Sequence, residues 1–263
     1  MQELVLVDRH DGYAIVTMNR PTALNALSRP LVYALLEAID RLKTDPTVRG
    51  IILTGAGKAF CAGMDLKELQ DPRGPLATPG GLWAEGAPNP VTHLARFTGP
   101  LIAAVNGAAV TGGFELALAC DVIIASTNAR FADTHARVGI IPGGGLSQIL
   151  SRTIGAYRAR ELHFTGNFLS AEKAESWGLV NRVVAPEDLL PSAEALMRDM
   201  LEIDAGMLRT YKKLINDGHG LSFSRGLALE EKTARAEAER TASSDIALRS
   251  SAIVNRGRLQ STK

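Results

Sequence analysis

Between Arg96 and Asp121 the sequence carries a single charged side chain, Glu115, and the segment around it, GAAVTGGFELALAC (Gly107–Cys120), is otherwise small or apolar. Asn106, Thr111, Glu115 and several glycines interrupt the apolar stretch Leu101–Cys120, so it does not suit a membrane span. The stretch reads instead as the buried core of a folded domain, with one acid inside it. A buried carboxylate without a partner costs several kcal/mol, or it keeps its proton. Glu115 is therefore a candidate catalytic group. The alternative is an acid held in a structural ion pair or by backbone hydrogen bonds. Gly112 and Gly113 lie just before it, where a helix start leaves backbone N–H groups free and glycine lets a ligand approach them.

The length, 263 residues, fits one large domain or a core with an appended segment. A formal net charge of +1, with basic residues spread along the chain, gives no footprint for nucleic acid. Cys61 and Cys120 sit in apolar surroundings without metal-ligand spacing. They read as reduced thiols of a cytosolic protein, one disulfide being the alternative. The N-terminal MQELVLVDRHDGYAIV has acids within its apolar run and no cleavage site, unlike a signal peptide.

Short strands alternate with helices through the first part of the chain. Leu4–Val7 and Tyr13–Met18 read as a hairpin around His10-Asp11-Gly12. Ser28 caps a helix to about Leu42, with Leu31, Leu35, Ala38, Ile39 and Leu42 on one face. Strands are expected at Arg49–Thr54, Leu101–Val105, Val122–Ala125, Ala129–Ala132 and Val180–Val184. Helices are expected at Asp65–Gln70, Gly112–Cys120, Leu146–Ile154, Ala156–Phe164 and Ala171–Trp177. The pattern indicates an α/β domain with a partly parallel sheet. Asp71–Asn89, rich in proline and glycine, reads as a long functional loop. From Pro186 onward strand signals vanish, and amphipathic helices follow at about 186–203, 205–216, 222–242 and 245–256. The expected division is thus a core at 1–185 and a helical C-terminal region at 186–263.

Three segments carry the chemistry. In AFCAGMDLKEL (Ala59–Leu69) a strand ends in a small-residue turn, and the Met64 N–H falls just before a helix. Asp65 there is also a candidate helix cap. In NGAAVTGGFELALACD (Asn106–Asp121) the Gly112 N–H would be a second donor. Two such amides on one oxygen form an oxyanion hole, and losing one typically costs on the order of 3 kcal/mol of barrier. In FADTHARVGIIPGGG (Phe131–Gly145) His135 can exchange a proton near neutral pH, and Asp133 reads as a cap or turn former. No dinucleotide fingerprint accompanies the glycines at 143–145.

Taken together and in this order, the hairpin, RPTALNAL (Arg20–Leu27), these segments and AEKAESWGLVNRVV (Ala171–Val184) closely resemble the enoyl-CoA hydratase/isomerase, or crotonase, superfamily. The resemblance implies a crotonase-like spiral of ββα units with a helical C-terminal trimerisation region, giving a homotrimer or hexamer. It implies an acyl-CoA thioester as substrate, its carbonyl oxygen held by the amides of Met64 and Gly112. The CoA moiety would run along Ala23, Leu24 and the turn Ala62–Leu66, including Met64 and Asp65, with Asp65 mainly structural. No separate cofactor and no metal is implied, because coenzyme A arrives as part of the substrate. Hydratases of this family use two glutamates on a water. One matches Glu115 and the other matches His135, while the Gly143 amide would help hold that water. The expected activity is syn hydration of a 2-enoyl-CoA in the cytoplasm. The alternatives are isomerase, lyase or hydrolase chemistry on the same enolate, or acyl-CoA binding without turnover. Dehalogenase chemistry would need an aspartate nucleophile, and Asp133 lies two residues out of register.

Overall fold

The computed structural model describes residues 3–74, 81 and 84–240, with isolated positions between 246 and 258. Its first strands, β1 (Val5–His10) and β2 (Tyr13–Met18), form the expected hairpin across a tight turn, with Val5 opposite Met18 and His10 opposite Tyr13. All further pairings in this sheet are parallel. β2 pairs with β3 (Gly50–Gly55), β3 with β5 (Leu101–Val105), β5 with β7 (Val122–Ser126), and β7 with β10 (Arg182–Val184).

A second sheet of four short strands, β4 (Ala59–Cys61), β6 (Ala108–Val110), β8 (Arg130–Ala132) and β9 (Leu169–Ser170), lies in that order. Three of the parallel strands, β3, β5 and β7, are each followed by one of these short strands and then by a helical turn. β3 leads to β4 and α2 (Leu66–Gln70), and β5 leads to β6 and α4 (Gly112–Leu118). β7 leads to β8 and a short 3-10 turn at Ala136–Val138. Repetition of that unit is the ββα spiral of the crotonase fold.

The central strands β2, β3, β5 and β7 are buried on both faces, so they are almost continuously apolar and their alternation sorts residues between two cores. Ala14, Val16, Ile51, Leu53, Ala103 and Val105 join the larger core with helix α1 (Arg29–Thr44), whose buried face is Leu31, Val32, Leu35, Ala38, Ile39 and Leu42. Their neighbours Tyr13, Ile15, Ile52, Ile102, Ala104 and Ile124 point the other way. There they meet Leu189, Ala193 and Met197 of helix α8 (Leu189–Leu201). Compact packing divides the chain into Met1–Leu208 and Arg209–Lys263, so α8 belongs with the strands. The second unit holds most of α9 (Ala205–His219) and all of α10 (Phe223–Ala238), with Tyr211, Ile215, Phe223 and Leu227 exposed.

Helix α3 (Pro90–Ala95), capped by the Asn89 side chain on the amides of Val91 and Thr92, was not anticipated from the sequence. Strands β6 and β9 were not anticipated either. The sequence expectation of a loop over Asp71–Asn89 falls partly outside the described residues, as does most of the last helix at 245–256. No helix among the described residues is long and apolar enough to cross a membrane.

Candidate active site

Strands β4 and β6 are parallel neighbours, Ala59 opposite Ala108 and Cys61 opposite Ala109. The turns that leave them are therefore forced side by side. Gly63, at φ 90°, lies so close to the second turn that a Cβ on it would sit 1.9 Å from Thr111 Oγ1 and 2.9 Å from the Val110 carbonyl oxygen. Thr111 itself adopts φ 47° and ψ −113°. A non-glycine residue reaches that region at a cost of about 1–3 kcal/mol, which the surroundings must offset. Here the Thr111 amide donates to the Ala132 carbonyl at 2.9 Å, and its carbonyl accepts from the Glu115 amide at 2.9 Å.

The segment Arg20–Leu27 braces this arrangement. Asn25, fully buried at φ 54°, donates from Nδ2 to the carbonyls of Ala56 and Ala59 and accepts the Arg20 amide on Oδ1. The Leu24 carbonyl accepts the Ala62 amide at 3.0 Å, and Leu27 bridges to the Met64 turn through the Gly63 carbonyl and the Asp65 amide. Arg20 Nη1 donates to Asp65 Oδ2 at 2.6 Å, while Asp65 Oδ1 caps α2 on the Lys67 amide at 2.9 Å. Burial opposes ionisation of Asp65. The Arg20 guanidinium and the cap amides outweigh it, so this carboxyl lies below its ordinary range. Both of its oxygens are engaged within the scaffold.

Among the described residues, these contacts leave the amides of Met64 and Gly112 without an acceptor. The bridge to Leu27 engages Gly63 and Asp65 but not the Met64 amide, and Gly112 is the first residue of α4 and has no intrahelical acceptor. Met64 and Gly112 line one cavity of about 140 Å³ together with Glu115 and His135. Its remaining wall is mostly apolar and includes Leu27, Val32, Ala62, Leu66, Val91 and Ile140. Ala23, Leu24, Asp65 and Gly143 do not line it. Ala23 and Leu24 lie on the adjoining turn, where Leu24 is 47% exposed, and Gly143 is exposed beyond the rim.

Glu115 is 2% exposed. Its Oε1 accepts the Gly144 amide at 2.7 Å and, more weakly, the Leu146 amide at 3.4 Å, whereas Oε2 accepts no bond among the described residues. Burial raises its pKa above the ordinary carboxylate value, and the nearby Asp133 adds to that. The Gly144 and Leu146 amides and His135 pull the other way without cancelling the rise. One oxygen is thus fixed by backbone and the other is free to exchange a proton. The neighbour of Glu115 in the glycine run is Gly144, one residue beyond the glycine that the resemblance singled out. A Cβ at Gly144 would lie 2.8 Å from Glu115 Cδ, with both carboxylate oxygens within 3.0 Å. The Gly144→Ala variant should therefore displace the carboxylate and lower kcat about a hundredfold in steady-state assays, with little loss of thermal stability.

His135, 6% exposed, is joined to a second buried acid. Asp133 Oδ1 accepts both the His135 amide at 3.0 Å and the His135 Nδ1 at 2.7 Å, and Asp133 Oδ2 accepts from His163 Nδ1. Burial alone would raise the Asp133 pKa. The three donors outweigh it and hold this carboxyl far below its ordinary range. Asp133 does form the local turn that its position suggested, and it also anchors two imidazoles. The pairing with His163 has no local sequence signal, because His163 arrives from the last turn of helix α6 (Ala156–Thr165), thirty positions along the chain.

The comparisons with known proteins agree with this architecture. Residues 8–245 match the sequence model of a family described as enoyl-CoA hydratase/isomerase, and the chain belongs to that family. It is 40% identical over 237 residues to a probable peroxisomal enoyl-CoA hydratase of Arabidopsis thaliana, covering 89% of this chain and 87% of the relative. It is 38% identical over 232 residues to the 1,2-epoxyphenylacetyl-CoA isomerase of Escherichia coli, covering 88% of each. The crystal structure of an enoyl-CoA hydratase subunit from Geobacillus kaustophilus superposes with a TM-score of 0.85 at 34% identity, over 96% of this chain and 95% of that one.

Proposed function

We propose that the protein is an enoyl-CoA hydratase, adding water reversibly and syn across the double bond of a 2-enoyl-CoA. The observation that supports this reading is that Met64 and Gly112, whose amides have no acceptor among the described residues, line one largely apolar cavity together with Glu115 and His135. The amides donate to the thioester carbonyl oxygen and stabilise the negative charge that develops on it. His135 takes a proton from water as the hydroxide oxygen bonds to the β-carbon. The π electrons move onto the carbonyl oxygen as an enolate, and Glu115, which burial helps to keep protonated, delivers its proton to the α-carbon. Return of the proton from His135 to Glu115 restores the site.

The CoA moiety runs along Ala23, Leu24, Ala62 and Leu66, at the mouth beside the Met64 turn, with Asp65 holding that turn in shape. Gly143 remains the proposed outer contact of the water. The exposed apolar residues on α9 and α10 support a homotrimer or hexamer, which light scattering after gel filtration would measure. A cytoplasmic setting fits Cys61 and Cys120, neither of which is in a disulfide.

The test is loss of the enoyl-thioester absorbance when crotonyl-CoA or a longer homologue is mixed with the protein. His135→Ala should slow that loss about a hundredfold, and an unchanged rate would demote His135 to a wall of the pocket. The similarity to an isomerase at 38% identity favours one second reading, double-bond migration. It would appear as growth of the same absorbance from a 3-enoyl-CoA.

A further inference from the structure

The reaction just described makes no use of His163, yet this imidazole is tied to the site by a specific bond. Its Nδ1 hydrogen-bonds Asp133 Oδ2, and its Nε2 is buried with no hydrogen-bond partner among the described residues. A buried polar atom without a partner costs on the order of 1–3 kcal/mol. Simple attachment of α6 to the neighbouring turn would not require that cost, since a smaller donor could make the same bond.

The value of the arrangement lies in what it forces on Asp133. An ionised carboxylate only accepts hydrogen bonds, so each imidazole that meets it must carry its proton on Nδ1. For His135 this leaves Nε2 as the bare nitrogen, and Nε2 is not engaged by any described residue. The opposite tautomer would present an N–H at Nε2 and could not accept a proton from water. His163 occupies the second oxygen of Asp133, so the carboxylate cannot turn that oxygen away from His135 without breaking a buried bond. We infer that Asp133 and His163 are positioning residues, which together lock His135 in the Nδ1–H tautomer with Nε2 available for the water. The inference rests on the proposed role of His135 as the group that takes the water's proton.

The same network accounts for a histidine at position 135. A glutamate there would bring a further carboxylate beside Asp133, which is 2% exposed, and into the cavity of Glu115. Like charges so placed resist joint ionisation. Histidine and aspartate belong together at this site.

The experiment has two arms. In the first, nitrogen-15 NMR of the histidine-labelled full chain without substrate reads the ring tautomers, recorded where the imidazoles are neutral. The five histidines are assigned by single His→Gln variants. His135 and His163 should both show protonated Nδ1, and in Asp133→Asn at least one should switch to protonated Nε2. A native His135 carrying its proton on Nε2 would overturn the inference.

In the second arm, crotonyl-CoA hydration is followed in two variants of position 163. His163→Phe keeps a ring and removes the donor, and should lower kcat about tenfold with KM within about twofold. His163→Asn returns an N–H near the Nδ1 position and should recover most of kcat. Equal activity in the two variants, whether full or reduced, would overturn the positioning role. Absence of hydration by the native protein would overturn the proposed reaction instead, leaving the tautomers to judge this inference alone.

Discussion

Replacing Glu115 with glutamine is expected to lower kcat for enoyl-CoA hydration by about a thousandfold or more, while the affinity for the thioester changes by less than about fivefold. General acid–base groups contribute roughly 10²–10⁴-fold, and Glu115 is the only acid among the described residues that line the cavity. The glutamine keeps the Oε1 that accepts the Gly144 and Leu146 amides, so the fold and the bound geometry should survive. The same variant should be more stable than the native protein at neutral pH. Folding raises the pKa of Glu115, chiefly by burial, so the folded state binds its proton more tightly than the unfolded chain does. Ionisation above that raised value therefore works against folding, with full effect at high pH. The glutamine removes this cost. A gain of a few degrees in Tm should appear at neutral and alkaline pH and vanish as the pH falls below the ordinary carboxylate value. Denaturation curves across pH would check it, and a Tm difference that grows toward acid would reverse the assigned sign.

Gly63→Ala should be the most damaging small substitution in the scaffold. The residue sits at φ 90°, and its new methyl group would lie 1.9 Å from Thr111 Oγ1, a clash with a turn that is itself strained. Positive φ costs a non-glycine residue about 1–3 kcal/mol and overpacking about as much again. A loss of about 3 kcal/mol is expected in denaturant titrations. Activity should fall further than the folded fraction explains, about a hundredfold. Separating the two turns also separates the Met64 and Gly112 amides, and a single displaced donor costs about 10²–10³ in rate. A variant of native activity would mean that the turns can shift without disturbing those donors.

Much of the fold was legible because its long elements carry strong periodicity. The face of α1 and the parallel strands β3, β5 and β7 follow from apolar spacing alone, and Ser28 marks the start of α1 as expected. The second sheet was hidden. Ala108–Val110 and Leu169–Ser170 are too short to alternate, and they become strands through neighbours distant in sequence. At the site, the odd acid Glu115 announced itself by its apolar surroundings. Its partner Gly144 did not stand out, since a backbone amide in a run of three glycines differs from its neighbours only by where the chain happens to fold. Asp133 was visible as a turn former, but its bond to His163 joins the turn after β8 to α6, and no local pattern records a contact of that range. Asn25 likewise reads as an ordinary polar residue until its burial and its three backbone bonds are seen.

The adjacency of the β4 and β6 exits has an evolutionary corollary. The amides of Met64 and Gly112 belong to the backbone, so a change of side chain at either position leaves the N–H in place. On the proposed reading, a change of side chain at position 135 would alter the proton carrier while the grip on the ester stayed the same.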